Sequence, residues 1–174
     1  MGVIVSLNDA EFAEGTRVGL LRVHHSRGRE PSFAYADKED ERRNHILGSM
    51  GECAFCKVMG LVWPKRVNTF RSLPDVDPYW EVRTSPNPAY LKVRPNDDPD
   101  QFAVQVVGEH GGRVFTVVGF IYIREAFSYP KRDPGNRNRP AHFIPTANVT
   151  RIEELLPAKP EPAQEEKEED LTLW

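Results

Sequence analysis

The stretch from Asp75 to Arg83, DVDPYWEVR, places two aspartates ahead of a glutamate and an arginine that stand two residues apart. On an extended strand, alternate side chains share a face, so Glu81 and Arg83 project together. Upstream, Glu52 lies in a segment whose Ile46, Leu47, Met50, Ala54 and Val58 recur at helical spacing. Three carboxylates brought together from a helix and a strand suit Mg2+ or Mn2+, hard cations that prefer oxygen ligands. Such a metal activates water and stabilises a phosphate under attack, and a cation beside the second acid positions the nucleophile. Phosphodiester hydrolysis is the chemistry this set would serve. Plainer readings produce the same string. Glu81 and Arg83 fit a cross-strand ion-pair ladder, Asp75 and Asp77 beside Pro78 fit an ordinary turn, and Glu52 could face solvent or pair with Lys57 or Arg66.

The elements that must position these residues follow from pattern. From Asp37 the chain carries acids in a first turn, then the apolar helical spacing, then Gly60 as a stop, which predicts a helix. Gly48 and Gly51 inside it weaken the helix and so imply close approach of another element. Strand character appears at 66–71, 79–84, 89–94, 102–108 and 114–123, with RPNDDPDQ as a turn in which Asp97, Asp98 and Asp100 read as solvated. Residues 16–24, TRVGLLRVH, read as an opening strand followed by a basic loop. After 123 a single helical turn is expected, then a basic Pro/Gly loop, AHFIP as an edge strand, and a short helix or strand over TANVTRIEELL. The fold class is α/β (α+β), one domain in which a helix precedes a mixed central β-sheet. That domain spans residues 1–157, with its core at about 37–150.

The string GSMGECAFCKVMG, VNTF, PDVDPYWEVRTS, YLKVRPNDDPDQFAVQVVGE, FTVVGFIYIREA, RPAHFIP resembles phage- and prophage-encoded members of the PD-(D/E)XK nuclease superfamily. In those proteins a GE helix, a D…VRT strand, an RPND-like turn and an RPAYF(V/I)P-like segment recur in this order. The resemblance covers about residues 45–150 and implies a restriction-endonuclease-like core, Mg2+ or Mn2+ as cofactor, and nucleic acid, DNA first, as substrate. It assigns Glu52, Asp75 and Glu81 to the metal and puts Arg83 in the lysine position. A guanidinium stays protonated, so Arg83 suits clamping phosphate rather than accepting a proton. Lys92, in YLKVR, is the alternative cation from the next strand.

Length and composition agree with an intracellular, cytoplasmic protein of one core: 174 residues, 39% hydrophobic, with no apolar run long enough for a membrane span and no signal-peptide pattern at the start. Residues 161–174 carry six acids and one lysine, a local charge of −5 that leaves +2 for residues 1–160. The tail from 158 has little apolar content to offset ordering and is expected to be disordered. It ends in DLTLW, whose Leu171, Leu173 and Trp174 form an apolar tip resembling the bacterial sliding-clamp-binding pentapeptide. Lys131, Arg132, Arg137 and Arg139, with Tyr129, His142 and Phe143 nearby, make a loop suited to nucleic-acid contact. Cys53 and Cys56 read as two buried reduced thiols, with zinc shared by His24 and His25 as the rival. Three functional readings result. One is a Mg2+-dependent phage DNA-processing nuclease. Another is a catalytically inactive nuclease-fold protein that binds a replication protein, such as the sliding clamp, through its C-terminal peptide. The third is a nucleic-acid-binding domain without catalysis, whose binding would be strong and salt-dependent.

Overall fold

The computed structural model describes residues 2–26, 38–67, 73–134 and 139–157. Its first helix, α1 (Asp9–Ser26), begins at a capping box: Asn8 Oδ1 accepts the Glu11 N–H at 2.9 Å, and Glu11 Oε2 accepts the Asn8 N–H at 2.7 Å. The strand expected over 16–24 is therefore a helix. Gly15, Val18, Gly19 and Val23 are buried at helical spacing, and this tertiary face overrides the β-propensity of the valines.

The second helix, α2 (Lys38–Met59), opens with Glu39, Asp40 and Glu41 and stops at Gly60, whose φ of +66° continues the chain left-handed. The helices meet on a flat seam. A Cβ at Gly19 would lie 2.5 Å from Ile46 Cα, and one at Gly15 would lie 2.9 Å from Met50 Cγ. Buried Ser49 ties the pair by donating its hydroxyl to the Gly15 carbonyl at 2.6 Å.

The strands form two sheets. The larger contains β1 (Val3–Ser6), β2 (Trp80–Ser85), β4 (Phe102–Gly108) and β5 (Val114–Tyr122) in the order β1-β5-β4-β2, with β8 (Thr150–Arg151) also pairing β5. Only β2 runs parallel to its neighbour, with Trp80 opposite Phe102 and Glu81 opposite Ala103. The smaller sheet has the order β3-β7-β6, from β3 (Tyr90–Val93), β6 (Lys131–Arg132) and β7 (Ala141–Pro145). AHFIP is thus the centre of this sheet, not an edge. The single turn α3 (Ile123–Ala126) ends β5, and 3-10 turns at Thr146–Asn148 and Ile152–Leu155 flank β8. Of the strand expected at 66–71, residues 66 and 67 are irregular and the rest lies outside the described residues.

The layers follow from alternation along the central strands. On β4, Val104 and Val106 face the helices and pack with Met50, Phe55 and Trp80, while Ala103 faces the small sheet and packs with Leu91, Val93 and Ile144. The register slips between Gln105 and Val106, since Gln105 pairs with Gly119 and Val106 with Val117. This slip lets the continuous apolar run of β5 supply Phe115 and Val117 to one core and Val118 and Ile121 to the other. The observed class is mixed α and β, with the large mixed sheet as the middle layer. No helix among the described residues is long and apolar enough to cross a membrane.

Candidate functional site

Glu52 owes its position to the glycine before it. A Cβ on Gly51 would fall 1.9 Å from Thr84 Oγ1, so only glycine lets α2 lie this close to β2. Glu52 is 2% exposed and its carboxylate is gripped by α1: Arg22 Nη1 donates to Oε1 at 2.6 Å and Nη2 to Oε2 at 2.8 Å. Trp63 Nε1 adds a third bond at 3.2 Å. Burial, and then the charge of Asp75, push the Glu52 carboxyl up to about 7 against those donors. Arg22 also donates to the Arg66 carbonyl at 2.9 and 2.7 Å. Reading 16–24 as a strand hides Arg22, which reaches the site only from a helix. The signals for that helix are present in the Asn8-x-x-Glu11 box and the Gly15-x-x-x-Gly19 spacing.

The five residues between Asp75 and Glu81 form a tight reversal. Val76 and Trp80 exchange backbone hydrogen bonds, both at 3.0 Å, so Asp75 returns alongside β2. Because β2 is an edge strand, its Val82 N–H has no strand partner on the open side, and Asp75 Oδ2 accepts it at 2.9 Å. The short spacing therefore brings the two acids together. Asp77 instead turns outward and pairs with Arg66 at 2.5 Å.

Glu81 and Arg83 share the face of β2 that points away from the helices. Burial and then Asp75 push Glu81 up to about 8, against the nearby Arg83 guanidinium. Arg83 Nη2 lies 3.3 Å from Glu81 Oε2 and 2.7 Å from Asp97 Oδ2. Burial opposes the charge on Arg83, but Asp97, Asp75 and Glu81 hold its pKa above the ordinary arginine value. Asp97, read from sequence as a solvated turn residue, is half-buried in this way and also accepts the Arg94 N–H at 2.8 Å. Asp98 and Asp100 are exposed, as expected.

These groups line a cleft of ≈ 380 Å³ that includes Asp75, Glu81 and Asp97 together with Arg22, Arg66, Arg83 and Arg94. Glu52 lies behind Arg22 and does not line it. The expected trio of metal ligands is thus split: two acids face the cleft, and the third is spent on Arg22. Among the described residues no group of three or more His, Cys, Asp or Glu is disposed to hold a metal ion.

No family model, curated protein or solved structure matches this chain. The nuclease resemblance therefore rests on the motifs alone.

The remaining candidates fall elsewhere. Lys92 lies on β3 in the small sheet, with its Nζ 5.5 Å from the Phe143 ring centroid, and lines a second cleft of ≈ 540 Å³ instead of the acidic one. Arg139 lines that second cleft too, while Lys131 and Arg132 are exposed on β6. Arg137 and the tail residues Leu171, Leu173 and Trp174 lie outside the described residues. Cys53 and Cys56 are free and buried, as expected, and burial pushes their thiols up to about 11 and about 12. His24 and His25 are exposed near the end of α1.

Proposed function

We propose that the acidic cleft hydrolyses phosphodiesters of nucleic acid with a divalent cation, on a core of restriction-endonuclease type formed by α2 and the mixed sheet. The observation that carries this reading is Asp75 docked on the Val82 N–H, where its charge acts on both Glu52 and Glu81 beside a cluster of arginines. Carboxylates crowded until their pKa values rise favour any dication that relieves them. Mg2+ commonly uses one or two carboxylates, with water and substrate phosphate completing the sphere, so two acids suffice. Asp75 and Glu81 would hold Mg2+ or Mn2+, and the chemistry supplied there is activation of water and neutralisation of phosphate charge.

The chain's own residues do the rest. Arg83 and Arg94 flank the acids as phosphate clamps, and Arg83 stays protonated throughout, so it stabilises charge and takes no proton. Arg22 fixes Glu52 behind the cleft, which makes Glu52 a positioning acid rather than a direct ligand. Cleavage of single- and double-stranded DNA and RNA should require Mg2+ or Mn2+ and be lost in Asp75→Asn and Glu81→Gln. Mn2+ should also raise the melting temperature of the wild type and not of either variant. Cleavage indifferent to both substitutions would overturn the proposal.

One observation favours the second reading, a binding module without turnover: Arg22 takes both oxygens of Glu52, and Arg83 bridges Glu81 and Asp97. On that reading the recruitment peptide at Leu171, Leu173 and Trp174 docks on a replication protein such as the sliding clamp. A calorimetric titration of the clamp with the full chain and with a chain ending at Pro160 decides it. Equal heats would remove the tail's role.

A further inference from the structure

Arg83 and Arg94 line both clefts, which therefore adjoin. The two are built differently. In the second cleft Lys92, Arg83, Arg94 and Arg139 outnumber Asp40 and Asp133. Tyr90, 40% exposed, meets Phe143 edge to face with ring centroids 6.0 Å apart, and Lys92 stands opposite Phe143 in the β3–β7 register. At the base lies Gln105, 2% exposed on β4. Its Nε2 donates to Thr146 Oγ1 at 2.9 Å and to the Pro88 carbonyl at 3.2 Å, which fixes the amide's orientation. Its Oε1 then has no partner among the described residues. A buried acceptor left unpaired is costly unless a ligand brings a donor.

We propose that this second cleft binds a single nucleic-acid strand. Bases stack on the Tyr90–Phe143 platform, and phosphates lie along Lys92, Arg94 and Arg139. Size and chemistry both select a single strand over a duplex. A cleft of ≈ 540 Å³ is of the size that encloses one small organic ligand, which a nucleotide is and a double helix is not. Stacking on aromatic side chains also needs base faces that a duplex keeps covered. The onward path of the strand across Arg83 to the acidic cleft rests on the hydrolytic reading above. The binding itself does not.

The test is fluorescence anisotropy of the full chain in EDTA, with labelled oligothymidylate and oligouridylate of about twelve nucleotides and a duplex of equal length. Either single strand should bind about tenfold or more tightly than the duplex, and comparison of the two separates DNA from RNA. Phe143→Ala and Tyr90→Ala should each weaken single-strand binding about tenfold, with Phe143→Tyr restoring it. Lys92→Ala, at an exposed position, should lower the salt slope by about one. Thermal melts establish that each variant is folded. Duplex bound as tightly as single strand, or wild-type affinity in folded Phe143→Ala and Lys92→Ala, would overturn the proposal. Binding with no metal-dependent cleavage would leave it standing and remove the hydrolytic reading. Asp75-dependent cleavage with binding indifferent to Tyr90, Phe143 and Lys92 would do the reverse.

Discussion

The two clefts that meet at Arg83 differ in how their charged groups are paired. Around the acidic cleft the charges answer one another: Glu52 is held by Arg22, Asp77 by Arg66, Arg83 by Glu81 and Asp97, and Asp75 by a backbone N–H. In the basic cleft the aromatic and cationic side chains are partly exposed, while buried polar atoms without a partner among the described residues occur in both: Gln105 Oε1 in the basic cleft, Gln101 Oε1 in the acidic one and Arg83 Nε between them. The first arrangement fixes backbone and charge before any ligand arrives, whereas the second offers its groups outward. One strand serves both, because Glu81, Arg83 and Ser85 share a face and the face runs from one cleft to the other.

Breaking the closed network should have the largest effect. Arg22→Met leaves the Glu52 carboxylate buried without its bidentate partner, and urea denaturation near pH 9 should register a loss of about 3–5 kcal/mol. That loss should shrink as pH falls through about 7, where a neutral carboxyl needs no counter-charge. A loss under about 1 kcal/mol would mean that the network does not hold the fold. Gly51→Ala comes next, because its Cβ would meet Thr84 on a packed strand, and a loss of about 1–3 kcal/mol is expected.

The crowding of the acids gives a third effect, of opposite sign. Glu52 and Glu81 have folded pKa values of about 7 and about 8, raised above the ordinary 4.5. Between about pH 4.5 and 8 the folded protein therefore holds more protons than the unfolded chain, and metal-free stability falls as pH rises. Glu81→Gln removes its share of that cost. In EDTA it should stabilise the protein by about 1–3 kcal/mol near pH 9 and change little near pH 4. A destabilised variant at high pH would show that the Arg83 contact outweighs the crowding. The smallest effect belongs to the basic cleft. Gly48 lines it, and a Cβ there would meet nothing within 4 Å, so Gly48→Ala should stabilise α2 by about 0.5–1 kcal/mol. Equal effects at Gly48 and Gly51 would erase the contrast between a packed and an open helix face.

Legibility followed the range of the interactions. The α2 helix was readable to its glycine stop, and four of the expected strands stand within a residue or two of their predicted bounds, because period and turn chemistry are local. The helix α1 is misread because the short window around Val18 and Val23 reads as extended, although the capping box ahead of it is visible. The acids Asp75 and Glu81 stand out by type and spacing. Arg22 and Asp97 do not, since each joins the site through contacts with residues far from it in sequence.

The amino-acid sequence by itself determined the chemical inventory: which carboxylates and guanidiniums exist, their order, and the local elements that carry them. The tertiary structure alone decided their partners. Whether Glu52 faces a cleft or an arginine depends on the Gly15–Gly19 seam between the helices, and whether Asp75 meets Glu81 depends on β2 being an edge strand. Periodicity is written in neighbours along the chain. Burial, charge pairing and the pKa values they set arise only where distant segments are brought together.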